Sequence, residues 1–131
     1  MPTKIIKERI ELFYSVPVID SSEYNLTVRI GDAQPGDINV VYANCPFASY
    51  PLDNNSEWNT LLGLGKKLKD KQILLSSLTK NQSQMTDNVS IRVFINGNEI
   101  RPQAHSNDPD PHIKTVDKND LIQFIQKIVF L

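Results

Sequence analysis

The stretch from Asn44 to Trp58 gathers Phe47, Tyr50 and Trp58 with Asp53, Asn54, Asn55 and Glu57. Aromatic rings stack on the C–H faces of sugars while amides and carboxylates bond hydroxyls. Phe47, Tyr50, Asp53 and Trp58 therefore make a candidate carbohydrate or small-ligand site. The same rings also serve to anchor a long loop to a sheet edge, and Pro46 and Pro51 stiffen it under either reading.

A second cluster is Asp108-Pro109-Asp110-Pro111-His112, with His105 and Asn107 just before it. In extended backbone Asp108, Asp110 and His112 share one side, and carboxylate plus imidazole suit a divalent cation. The EF-hand pattern is missing, with no glycine at its sixth position and no closing glutamate at its twelfth. Prolines alternating with aspartates equally describe a surface loop built on Asx turns. The expectation is no resident metal and no cofactor.

Two further groups have less to offer. Cys45 with His105 or His112 as base would be a nucleophile only as a thiolate, which needs that base close by or a helix N-terminus. Pro46 follows it and no helix start is visible, so a small apolar role is expected. Lys66, Lys67, Lys69 and Lys71 could meet phosphates, but only Leu68 lies among them and no aromatic is present for base stacking. They read as a solvated hairpin tip that also discourages edge-to-edge pairing. No Gly-x-Ser-x-Gly elbow, phosphate-cradling glycine loop or His-Glu-x-x-His occurs, which argues against an enzyme.

The elements that must position these groups repeat with period two. Tyr24, Leu26, Val28 and Ile30 alternate with Asn25, Thr27 and Arg29. Val89, Ile91, Val93 and Ile95 alternate with Ser90, Arg92 and Phe94. That strand runs into Asn96-Gly97, the dipeptide suited to a type I′ turn. The turn pairs Ile95 with Asn98 and Val93 with Ile100, and the return arm ends at Pro102. Further strands are expected over Ile5–Tyr14, over Ile38–Ala43 with Ile38, Val40 and Tyr42 on one face, around Trp58, Thr60 and Leu62, and over Gln72–Thr79. Residues 119–131 fit a helix or a strand. Their β-branched and aromatic end favours the strand. Both parities of that segment are apolar, with Ile125, Val129 and Leu131 on the second, so cover is expected from this chain or another.

Turns about every ten residues with little helix point to an all-β, antiparallel β-sandwich, immunoglobulin-like or jelly-roll-like, of seven to nine short strands. Residues 1–131 form one domain on the size prior. Fourteen Lys+Arg against fifteen Asp+Glu give a net charge of −1, so no field points to nucleic acid or an anionic membrane. One cysteine excludes an intrachain disulfide, and no signal-like or membrane-spanning apolar run is seen, which favours the cytoplasm. The expected function is a non-catalytic module acting through protein contact, by self-association or as an accessory piece of an assembly, with a homodimer possible. The alternative is a carbohydrate or small-ligand module using loop 44–58. A small metal-dependent or Cys-dependent hydrolase is the remote third.

Overall fold

The computed structural model describes residues 5–45 and 56–131. Among these residues nine strands and one helical turn follow in order: β1 (Ile6–Val16), β2 (Glu23–Ile30), β3 (Gly36–Ala43), β4 (Glu57–Leu64), α1 (Gly65–Leu68), β5 (Gln72–Lys80), β6 (Asn88–Ile95), β7 (Asn98–Ile100), β8 (Ile113–Thr115) and β9 (Leu121–Phe130). One sheet has the order β1-β9-β5-β3. The other has the order β4-β2-β6-β7, with β8 added alongside β6. The two pack face to face as an all-β sandwich.

Alternation fixes which side of each strand is dry. Tyr24, Leu26, Val28 and Ile30 of β2 and Val89, Ile91, Val93 and Ile95 of β6 turn inward. They meet Ile10, Leu12, Tyr14 and Val16 of β1 and Ile122, Phe124, Ile128 and Phe130 of β9 in one core. Each fully buried side chain of this size contributes about 1.5–3 kcal/mol. Segment 119–131 is a strand, β9, at the centre of its sheet, pairing with β1 on one side and β5 on the other. The Asn96-Gly97 turn forms as read: φ is 50° at Asn96 and 80° at Gly97, with Ile95 opposite Asn98 and Val93 opposite Ile100.

Four details depart from the sequence pattern. The β1–β9 pair is parallel, because both strands leave the same end of the sheet; the other strand pairs are antiparallel. In β3 a register shift between Val40 and Tyr42 makes Val41 a bulge. Ile38 and Val40 turn in, and Tyr42 is carried to the outer face opposite Leu74. Ser90 faces outward by parity yet is fully buried, since the loop at Gly31 closes over it. The lysine segment is not a hairpin tip. β4 and β5 lie in different sheets, and α1 crosses between them with Leu68 plugged into the core. Gly65 allows that crossing: a Cβ there would sit 2.0 Å from the Ile19 carbonyl oxygen.

Candidate functional site

Among the described residues the candidate metal ligands do not come together. Phe47, Tyr50 and Asp53 lie outside the described residues. Trp58 turns inward in β4 with Thr60 and Leu62 and is 3% exposed, so its ring faces are spent on the core and cannot stack on a sugar. Asp108, Asp110 and His112 do not converge. Asp108 Oδ1 accepts the backbone N–H of Asp110 at 2.9 Å in an Asx turn, and its other oxygen is 3.7 Å from Lys114. Asp110 is 3.1 Å from the Arg101 guanidinium. His112 is 2% exposed with Nε2 3.9 Å from Glu99. Among the described residues no three His, Cys, Asp or Glu side chains come close enough to share a metal ion.

Cys45 follows β3, and its Sγ is 3.9 Å from the Gln72 carbonyl oxygen at the head of β5. Burial pushes its thiol up to about 11, which leaves it neutral near pH 7 and a poor nucleophile. His112 sits beside the other sheet, between Glu99 and Arg92, and is no base for it. Burial, then the Arg92 guanidinium, hold His112 below the ordinary imidazole range. Lys66, Lys67 and Lys69 point to solvent around α1, with Lys69 3.9 Å from Asp20.

One polar cluster has no sequence motif behind it. Gln34 is 4% exposed and ties the β2–β3 loop to the β5–β6 loop. Its Nε2 donates to Asn81 Oδ1 at 2.9 Å and to the Asn88 carbonyl at 3.0 Å. Its Oε1 accepts the backbone N–H groups of Gln82 and Ser83 at 2.7 and 2.9 Å. Asn81, itself fully buried, donates to Asp87 and to the Val116 carbonyl. Lys118 closes the cluster with its ammonium on Asp87 at 2.9 Å, on the Thr86 carbonyl at 3.1 Å and on the Ser83 carbonyl. The Lys118 ammonium, with Asn81 second, holds the Asp87 carboxyl below its usual range. Every donor here meets an acceptor of this chain, so the cluster braces loops. The distant hydrogen bonds of a single amide leave no trace in a local pattern.

The outer faces of the two sheets differ in kind. On the β4-β2-β6-β7 sheet polar groups satisfy one another. Arg29 bonds Glu57 at 2.8 Å and lies 5.0 Å over the Phe94 ring. Arg92 bonds Glu99 at 2.9 Å, and Thr27 donates to Asn59. A shallow open groove of about 340 Å³ runs over Asn25, Thr27, Asn59 and Leu61. On the β1-β9-β5-β3 sheet the outer parity carries large apolar side chains set among polar ones such as Glu11, Ser76 and Lys127. Half-buried Leu74, Leu78, Ile125 and Val129 lie between Phe13 on β1, 43% exposed, and Tyr42 on β3, 50% exposed. Val41, 60% exposed, extends this surface at the β3 edge.

No protein-family model, curated protein or solved structure matches this chain. Burying apolar area releases about 25 cal/mol per Å², and among the described residues the outer face of the β1-β9-β5-β3 sheet carries apolar side chains on all four strands, interleaved with polar ones. That face was foreshadowed by the second parity of residues 121–131. The partners supplied by Phe13, Leu74, Leu78 and Tyr42 needed the strand order, which no residue spacing encodes.

Proposed function

We propose that this protein is a non-catalytic β-sandwich that works through protein contact across the outer face of the β1-β9-β5-β3 sheet. The observation that carries the reading is the set of outward apolar side chains Phe13, Ile125, Leu74 and Tyr42, one on each of the four strands, set among Glu11, Ser76 and Lys127 on the side away from the core. A sheet of a free-standing sandwich normally shows water a polar outer face. The neutral thiol of Cys45 and the scattered partners of Asp108, Asp110 and His112 support the non-catalytic side of the reading. A strand path that changes sheet at each of the first five connections favours a jelly-roll-like description over an immunoglobulin-like one. A reducing cytoplasm suits the free Cys45 thiol. The carbohydrate reading is weaker, since Trp58 is closed into the core.

The test is a photo-crosslinking residue at position 125 of the full chain in its native cell, with position 27 on the other sheet as control. Position 125 is expected to give covalent protein adducts and position 27 few. Absence of adducts at 125, or equal yield at both positions, refutes the reading.

A further inference from the structure

We infer that the partner of this face is a second copy of the same chain, docked about a two-fold axis parallel to the strands and midway between β9 and β5. The inference rests on the functional reading just given and adds the identity and register of the occupant. The ladders place the outward residues in cross-strand rows. Arg9, Gln123, Leu78 and Asp37 make one row. Glu11, Ile125, Ser76 and Asn39 make the next, and Phe13, Lys127, Leu74 and Tyr42 the third.

A two-fold axis between the two middle strands exchanges β1 with β3 and β9 with β5 inside each row. It brings Arg9 of one copy over Asp37 of the other, twice. It also brings Phe13 over Tyr42, twice, and sets Lys127 against Leu74. No charge then faces its own sign. The other in-plane axis, running across the strands through the middle row, lays Glu11 on Glu11 and is rejected by that repulsion. Among the described residues Arg9 is engaged through its Nε, which donates to Gln123 at 2.8 Å, and it has no ion-pair partner. Among the described residues Asp37 has no ion-pair partner. The geometry agrees with aligned stacking of sheets about 10 Å apart and within about 30° of each other, and Arg9 is long enough to span the offset that twist introduces. Four strands about 4.8 Å apart and five outward rows about 6.8 Å apart project to on the order of 500 Å² per copy. That is about 1,000 Å² for the pair, at the threshold of a specific interface.

The experiment is sedimentation equilibrium on the full chain and on Arg9→Asp, Asp37→Arg and the combined exchange, each checked for unchanged circular dichroism and melting. Wild type is expected to dimerise at micromolar concentration, each single variant to dissociate at least about tenfold more readily, and the combined exchange to recover to within about threefold. A wild type that stays monomeric to about 1 mM overturns the inference, as does an exchange that fails to recover. The crosslinker at position 125 distinguishes a second copy of the chain from a different partner. Adducts of twice the chain mass support the dimer. Adducts with a different protein overturn it while leaving protein contact as the function, and absence of adducts overturns both.

Discussion

Replacing Gln34 with alanine removes one side chain and its four shortest hydrogen bonds at once. Two come from Nε2, to Asn81 Oδ1 at 2.9 Å and the Asn88 carbonyl at 3.0 Å. Two go to Oε1, from the N–H groups of Gln82 and Ser83 at 2.7 and 2.9 Å. A net hydrogen bond is worth about 1 kcal/mol, and a donor left dry costs more, while water entering the gap returns part of the loss. The expected destabilisation is about 2–4 kcal/mol, a large share of the roughly 5–15 kcal/mol that holds a domain of this size. Urea unfolding followed by circular dichroism measures it. Gln34→Glu sharpens the test. The carboxylate keeps the acceptor for Gln82 and Ser83 but sets an oxygen against the Asn81 and Asn88 oxygens. Only its protonated form can donate to them, so folding raises its pKa above the ordinary value of about 4.3. The folded state then binds the proton more tightly, and the deficit relative to wild type is full at neutral pH and shrinks as pH falls through that raised value. A Gln34→Ala loss below about 1 kcal/mol, or a Gln34→Glu deficit that does not change between pH 7 and 4.5, refutes the bracing role.

Three more outcomes are expected. Gly97→Val should cost about 1–2 kcal/mol, because φ of 80° resists a β-branched residue although a Cβ there meets nothing within 4 Å; Gly97→Asn should cost less than half of that in the same unfolding assay, and equal costs would show the backbone argument to be wrong. His112, held below the imidazole range by burial, takes up a proton less readily in the fold than in the unfolded chain, where it does so near pH 6.5. Stability should therefore fall with decreasing pH from about 7, by at most about 1.4 kcal/mol per unit, and His112→Gln should flatten that stretch of the curve; parallel curves would contradict it. Alkylation of Cys45 by iodoacetamide should keep accelerating up to about pH 11, and a rate that levels off by about pH 9, as for an ordinary thiol, would contradict its burial.

Much of the fold was legible because a half-buried strand writes its orientation into every second residue. Leu26, Val28, Ile91 and Val93 could be assigned inward from spacing alone, and all four are fully buried. Asn96-Gly97 was legible because few dipeptides accept two consecutive positive φ values. What failed is non-local. Tyr42 shares parity with Ile38, but the bulge at Val41 reverses it, and a bulge is set by the partner strand β5 rather than by β3. Ser90 is buried by a loop that approaches from Gly31, some sixty residues away in sequence. The lysine segment looked like a tip because its charges are solvated, whereas Leu68 shows that it crosses the core edge. At the surface, Ile125 and Val129 announced an uncovered side of β9, while Phe13 and Tyr42 joined them only through strand order. The aspartates and His112 kept the spacing of a ligand set but turned to separate cations or to Glu99, a choice made by Arg101, Lys114 and the β7 hairpin.

The parallel ladder between β1 and β9 also sets a clock on biosynthesis. Ile10 lies opposite Phe124 and Val16 opposite Phe130, so the strand made early has its neighbour more than a hundred residues later. At about 5–20 residues per second, β9 is synthesised roughly 6–23 s after the strand it pairs with. Throughout that interval Leu12, Phe13 and Tyr14 stand on an unpaired strand with both faces uncovered, an invitation to neighbouring nascent chains. Loop closure over such a span comes late and slowly, since its entropy is lost before any contact in the ladder compensates it. The charges at Lys7, Glu8, Arg9 and Glu11 sit on this waiting strand, where they hinder pairing with the wrong chain.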